Sequence, residues 1–288
     1  MNQLLQNKIT KIVKVFDKFD NNVDIPIIKR RINSFLMNNQ PIRLVCFTCS
    51  TINDKYLFSQ TSPWRYVNLN PKGNNLEPDV PTLILLLNEL NKAYPTELTV
   101  IIGNTDPFYI YSENFGIYKK LSYSKLWSKF AQRWRAYKTN LDSYLKSQNL
   151  QNYNLVSWYE IENQILSEKG IEFCQLFNLS LPIINNYFNK NDFKIELNRL
   201  REAFGKDKYF KCIKPPSDKV LKVWIKRKFT EYTIQGFFIY LFLPNSILLQ
   251  NEKPSLLRTK MYQPLITKTF SDRLPVIYPF GVDNTGYQ

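Results

Sequence analysis

Three groups of residues in this chain have the types and spacing to do chemistry. The first is Asn104-Thr105-Asp106, which follows the apolar run Leu98-Thr99-Val100-Ile101-Ile102 and Gly103. Polar residues just past a buried strand often contact ligands, because the strand fixes the backbone while the loop presents side chains. Asn, Asp and the following Pro107 are equally ordinary turn formers. The second group lies on one predicted helix, where Lys219, Lys222, Lys226, Arg227 and Lys228 precede Glu231-Tyr232-Thr233-Ile234-Gln235. Lys222 and Lys226 share a face one turn apart. A carboxylate, a phenol and an amide at the end of that helix have the chemistry to position an ammonium group, while Glu231 is also an i, i+4 ion-pair partner for Arg227. The third group is Lys125, Lys129 and Arg133 at i, i+4 and i+8, with Trp127, Trp134 and Tyr137 nearby. Cations interleaved with aromatics suit a phosphate-rich polymer such as tRNA. The same pattern also describes a solvated basic helix whose aromatics lie in the core.

Other chemistry is excluded by composition. Histidine is absent, so a Ser-His-Asp triad, a Cys-His dyad or a histidine zinc site cannot form within one chain. Proton transfer falls to Asp, Glu, Lys, Tyr, Cys or the substrate itself. Cys46 and Cys49 have CxxC spacing, but an odd separation along a strand points two thiols to opposite faces. No second CxxC completes a four-cysteine site. The cysteines are therefore expected to be reduced and structural, with no metal and no cofactor.

The elements that must position these residues are best defined between Pro41 and Tyr111. Ile42-Arg43-Leu44-Val45-Cys46-Phe47 is a short apolar strand closed by the polar residues Thr48, Cys49, Ser50 and Thr51. Pro81 to Leu90 repeats apolar residues at helical spacing, and the strand Leu98–Ile102 follows. Buried strands joined by a helix make a parallel crossover, and ligands collect at the carboxyl ends of such strands. Helices are also expected over residues 3–18, 27–37, 121–147, 159–167, 171–205 and from Ser217, the predicted N-cap, onward. Short extended pieces are expected at 247–249, 256–261 and 276–277, the last of them in a lid or an edge strand.

The expected fold class is thus α/β, Rossmann-like, with a mostly parallel central sheet flanked by helices. One α/β domain is expected over 1–288, with 1–37 an N-terminal helical segment and 265–288 a C-terminal extension. The net charge of +15 fits a polyanionic partner or an anionic metabolite, and fits equally an Asn- and Lys-rich chain that uses Lys to fill its surface. No apolar run approaches the roughly 18 residues of a membrane span, and Met1 to Phe19 lacks a signal-peptide core. A cytoplasmic protein with no membrane partner is the expectation.

The strand Ile42–Phe47 with its polar loop, Pro78-Asp79, Ala93-Tyr94-Pro95 and the strand Thr99–Ile102 resemble the pyoverdine/dityrosine biosynthesis family, which contains the isonitrile synthases. Lys226 to Gln235 and Leu257-Arg258-Thr259-Lys260-Met261-Tyr262-Gln263-Pro264 are similar to that family's basic helix and its later "R-L-S-I-H-P" strand. Gly103-Asn104-Thr105-Asp106 stands where the family has an S-D-G-R elbow, and Tyr262 or Gln263 stands at its histidine. The resemblance implies an amino-acid amine condensed with ribulose 5-phosphate or a similar sugar phosphate. Asp106 and Glu231 would then be the acid/base pair. Lys222, Lys226 and Arg258 would bind phosphate or carboxylate, and Asn104, Thr105 and Tyr232 would position the substrates.

A second resemblance is to the tRNA-dependent cyclodipeptide synthases. Tyr232-Thr233-Ile234-Gln235-Gly236 sits where that family has a tyrosine followed four residues later by glutamate, and glycine stands at the glutamate's position. That resemblance implies Ser50 (or Thr48) as nucleophile, aminoacyl-tRNA as substrate and the Lys125 face as the tRNA contact. A Rossmann-like binding module without catalysis is the third expectation.

Overall fold

The structure, a computed structural model, describes residues 3–20, 24–49, 67–68, 75–76, 80–103, 135, 138–206, 217–250 and 256–279. The chain begins with α1 (Gln3–Phe19) and α2 (Ile25–Met37), then β1 (Ile42–Cys49), the small pair β2 (Val67–Asn68) and β3 (Asn75–Leu76), α3 (Val80–Asn91) and β4 (Thr96–Gly103). A helix over 138–147, α4, precedes β5 (Tyr153–Ser157), α5 (Trp158–Lys169), α6 (Phe173–Tyr187) and α7 (Lys190–Lys206). The long α8 (Asp218–Phe242) leads to β6 (Ile247–Leu249), α9 (Leu256–Met261), α10 (Pro264–Phe270) and β7 (Val276–Ile277).

Among the described residues the main sheet has five strands in the order β5-β4-β1-β6-β7, and every pairing in it is parallel. Leu44 faces Leu98 and Cys46 faces Val100 across the central pair, and Leu44 also faces Ile247. Both sheet faces are covered. Leu44, Cys46, Val100 and Ile102 pack toward α1, α2, α3 and α4, while Val45, Ile101 and Leu248 pack toward α5, α8 and α10. Burial on both faces explains why these strands read as continuous apolar runs instead of alternating ones. The fold is therefore the expected Rossmann-like α/β class. Chain order runs outward from β1 to β4 to β5, then returns to β6 on the other side of β1, so the reversal falls between β1 and β6. No described helix is long and apolar enough to cross a membrane.

Two sequence expectations need correction. Residues 171–205 form two helices, because Asn189 and Asp192 cap a new start reciprocally: Asn189 N–H donates to Asp192 Oδ2 (2.8 Å) and Asp192 N–H donates to Asn189 Oδ1 (3.0 Å). Residues 256–261 are helical (α9), not extended. Leu257 and Met261 stand at i, i+4 and both are buried against α6 and α8, a spacing that a six-residue segment with only three apolar positions leaves ambiguous. The family strand matched to Leu257–Pro264 is thus a helix with a turn, and Arg258 stands on a helical backbone. Val276–Ile277 is the edge strand of the main sheet.

A buried cation holds the amino-terminal helices to the far edge. Arg31, 8% exposed, donates to Asn245 Oδ1, to Asp272 Oδ2 (3.0 Å) and to the Arg273 carbonyl (3.0 Å), and the Tyr240 hydroxyl donates to Asp272 (2.8 Å). Burial alone would raise the Asp272 carboxyl. The Arg273 backbone N–H, the Tyr240 hydroxyl and Arg31 together outweigh it and hold the carboxyl below its ordinary 3.8. A depressed folded-state pKa contributes stability that is present above 3.8 and lost as pH falls through the folded value. Asp272→Asn is expected to remove that acid-dependent loss in urea titrations across pH 2 to 5. Arg31→Ala is expected to lower stability at neutral pH by about 1–3 kcal/mol, because it removes the charge-assisted hydrogen bonds of a buried guanidinium to Asn245, Asp272 and Arg273.

Candidate functional site

In an open parallel sheet the point where strand order reverses leaves a crevice beyond the carboxyl ends of the flanking strands. Here those strands are β1 and β6. Gln250, directly after β6, is 4% exposed, and its backbone N–H donates to the Ile277 carbonyl (2.8 Å) at the end of β7. Its side-chain amide meets the Tyr262 hydroxyl at 2.6 Å. A phenol both donates and accepts, so among the described residues this bond engages one polar atom of the Gln250 amide whichever way the amide is turned. The Tyr262 ring, 2% exposed, lies 5.2 Å from the half-buried Tyr232 ring on α8. The row is therefore carboxamide, phenol, phenol.

Neighbouring groups lock this row in place. Thr233 Oγ1 donates to the Met261 carbonyl (3.0 Å). One turn on, α8 approaches so closely that a Cβ on Gly236 would lie 2.3 Å from the Tyr262 carbonyl oxygen and 2.9 Å from its Cα. Gln263 exchanges hydrogen bonds with Leu274, donating at 2.9 Å and accepting at 3.0 Å. The Tyr278 hydroxyl is 3.1 Å from Thr259 Oγ1, and the Tyr278 backbone N–H donates to the buried carboxylate of Asp20 (2.9 Å). Behind Tyr232, the Lys228 ammonium lies 5.7 Å from its ring and donates to Glu196 (2.6 Å), which also accepts from Arg199 (2.7 Å). Lys228 and Glu196 are both buried, and Glu196 is held by two cations at once. Lys260 pairs with Asp192 (2.5 Å) beside the Tyr187 and Phe188 rings.

A second carboxylate lies near the carboxyl end of β5. Ser157 caps α5 in a reciprocal box with Glu160, which fixes the helix start. Trp158 follows, packed between Phe47 of β1 (6.0 Å) and Phe238 of α8 (5.8 Å), and its indole N–H donates to Glu162. Burial pushes the Glu162 carboxyl up to about 6, against the lowering effect of the indole.

The expected site residues distribute unevenly. Tyr232 lies in the crevice row, and Glu231 is its half-buried neighbour on α8. Lys222 and Lys226 are exposed on α8, whereas Lys228 of the same basic run is buried, so the structure does not bring the two outer lysines into the row. Ser50 follows the last residue of β1 and Asn104 follows the last residue of β4, but Ser50, Asn104, Thr105, Asp106, Lys125, Lys129 and Arg133 lie outside the described residues. The sequence reading missed Gln250, Tyr278, Asp20 and Glu162. Gln250 carried the same signal that singled out Asn104, a polar residue closing an apolar strand. Asp20 and Glu162 carried none, because their burial comes from packing partners distant in sequence.

No protein-family model matches the sequence, and no curated protein matches it. Among solved structures, the chain is similar to a CDPS from Fluoribacter dumoffii (8% identity, 82% of this chain and 89% of that one, TM-score 0.48). It is similar to the cyclodipeptide synthase from Candidatus Glomeribacter gigasporarum bound to Phe-tRNAPhe (14% identity, 87% and 93%, TM-score 0.48). It is also similar to the PvcA protein from Pseudomonas aeruginosa (12% identity, 87% and 74%, TM-score 0.39). The fold class rests on the strand order and the parallel pairing given above.

Two stability measurements check this geometry. Alanine normally favours a helix over glycine by about 1 kcal/mol, yet Gly236→Ala is expected to destabilise the protein and lower its melting temperature, because its methyl would overlap the Tyr262 backbone. The raised pKa of Glu162 makes the folded state bind its proton more tightly, so its contribution is complete below 4.5 and is lost as pH rises from 4.5 to about 6. Glu162→Gln is expected to flatten the fall in melting temperature across that window.

Proposed function

We propose that this chain is an aminoacyl-tRNA-using transferase of the cyclodipeptide-synthase-like kind, acting at the crevice between β1 and β6. The observation that carries this reading is the linked row Gln250–Tyr262–Tyr232 at the reversal point. Acyl transfer from an aminoacyl ester needs a nucleophile, a hold on the amino group and a path for one proton, and it needs no metal. Ser50, at the exit of β1, is the proposed nucleophile. Its oxygen attacks the ester carbonyl, the C–O bond to the ribose breaks, and the ribose oxygen takes the proton given up by the serine. Tyr232 and Tyr262 orient the amino group and relay that proton, with Asp106 and Glu231 the proposed acid/base groups and Asn104 and Thr105 the positioning ones. The Lys125, Lys129 and Arg133 face, with Lys222, Lys226 and Arg258, is proposed to meet tRNA phosphates, which suits a chain of net charge +15.

The row itself is neutral, and the buried carboxylates behind it already hold cations or a backbone N–H. A neutral, oriented site favours an amine and an ester over a doubly charged sugar phosphate, so the isonitrile-synthase-like reaction ranks second. Incubation with aminoacyl-tRNA, generated in place by the twenty synthetases, is expected to yield cyclic dipeptides detectable by mass spectrometry. Ser50→Ala and Tyr232→Phe are each expected to reduce that yield at least about 100-fold, in line with the loss of a nucleophile or a proton-relay group. Product formed instead from free amino acid and ribulose 5-phosphate without tRNA would move the assignment to the isonitrile class.

A further inference from the structure

Helix α1 carries two opposed faces. Ile9, Ile12, Val13 and Phe16 are all at most 6% exposed and pack into the core with α2 and α3. Lys8, Lys11, Lys14 and Lys18 are exposed on the other side. The spacing 8, 11, 14 and 18 keeps these four cations on one side of a helix, over a rise of about 15 Å. Lys8, Lys11 and Lys14 have no described anionic partner, and the helix itself contributes one acid, the exposed Asp17. Lys18 lies 5.8 Å from the Phe19 ring and contributes to lowering the Glu89 carboxyl, an effect led by Lys92.

The position of this row gives it meaning. Asp20, which ends the helix, accepts from the backbone N–H of Tyr278 directly beyond β7. The carboxyl-terminal end of α1 is therefore fixed at the same edge of the sheet as Gln250, and the lysine row runs back from it. Lys14 stands six residues and about 9 Å of helix from Asp20. We infer that Lys8, Lys11 and Lys14 form an RNA-backbone contact that lays a tRNA arm along α1 with its end toward the crevice. The choice of RNA as the polyanion rests on the proposed aminoacyl-tRNA function. An anionic membrane surface fits less well, because a helix that binds the interface must insert its apolar face, and that face of α1 is consumed by the core.

The test measures binding of fluorescein-labelled bulk tRNA to the full chain from 50 to 300 mM salt, for the wild type, for Lys8→Gln/Lys11→Gln/Lys14→Gln, and for Lys169→Gln/Lys194→Gln as a control of exposed lysines elsewhere. Loss of three phosphate contacts is expected to reduce the slope of log K against log salt by about 2 to 3, and to weaken binding at least 10-fold at 100 mM salt. The control is expected to change by less than twofold. Equal slopes for wild type and α1 variant would overturn the inference and leave the crevice chemistry standing. A slope that drops in an enzyme forming no cyclic dipeptide would retain the RNA surface and reject the reaction. Absence of tRNA binding would overturn the inference, and sedimentation with phosphatidylglycerol vesicles that is lost in the α1 variant would then identify a membrane surface.

Discussion

The approach of α8 to the Tyr262 backbone is the contact on which the crevice depends. Gly236 has no side chain, so the helix can press against the carbonyl and Cα of Tyr262. Thr233, one turn earlier, donates to the adjacent Met261 carbonyl. These two contacts set the height of the α9–α10 turn above the sheet. With that height fixed, the Tyr262 hydroxyl reaches Gln250 and its ring meets Tyr232. A longer side chain at residue 236 would lift the turn and pull both contacts apart.

The same contact limits which side chains can stand beside the row. At Gly236 the Tyr262 backbone fills the space a side chain would occupy, so a carboxylate is sterically excluded from that position of α8. The buried carboxylates nearby are committed elsewhere: Glu196 to Lys228 and Arg199, Asp192 to Lys260, and Asp20 to a backbone N–H. What is left along the row is a set of hydroxyls and one carboxamide. Such groups form hydrogen bonds without holding charge, and the carboxylate next to the row in sequence is the half-buried Glu231 of α8. Near the carboxyl end of β5, burial lifts the Glu162 carboxyl to about 6.

The sheet was readable from sequence because its cause is local. Continuous apolar runs such as Leu44–Phe47 and Leu98–Ile102, joined by an amphipathic helix, leave few arrangements other than a parallel crossover. β6 was readable for the same reason. The α9 segment was not, because six residues with apolar positions at 257 and 261 satisfy more than one periodicity. Tyr232 stood out in the sequence through its setting in a helix rich in polar groups. Lys222 and Lys226 were grouped with it because sequence spacing does not reveal which face of a 25-residue helix is covered. Their exposure follows from α6, α7 and α9 packing on the opposite side, around Leu221, Ile225 and Phe229.

The least legible interaction joins the two ends of the fold. Asp20 and Tyr278 are 258 positions apart, and nothing in either segment announces the other. Arg31 adds a second tie of the same reach, to Asn245, Asp272 and Arg273. Together they bind the α1–α2 hairpin to the loops that precede β6 and to both ends of β7. A parallel sheet of three long and two very short strands has a weak flank at β6–β7, where Ile247–Leu249 and Val276–Ile277 supply few ladder bonds. Closing that flank with buried side-chain contacts from the first helices makes Gln250 dependent on residues at both ends of the sequence. It also explains why the amino-terminal helices are part of the core instead of an appendage: their apolar faces and their polar ties hold the flank that carries Gln250.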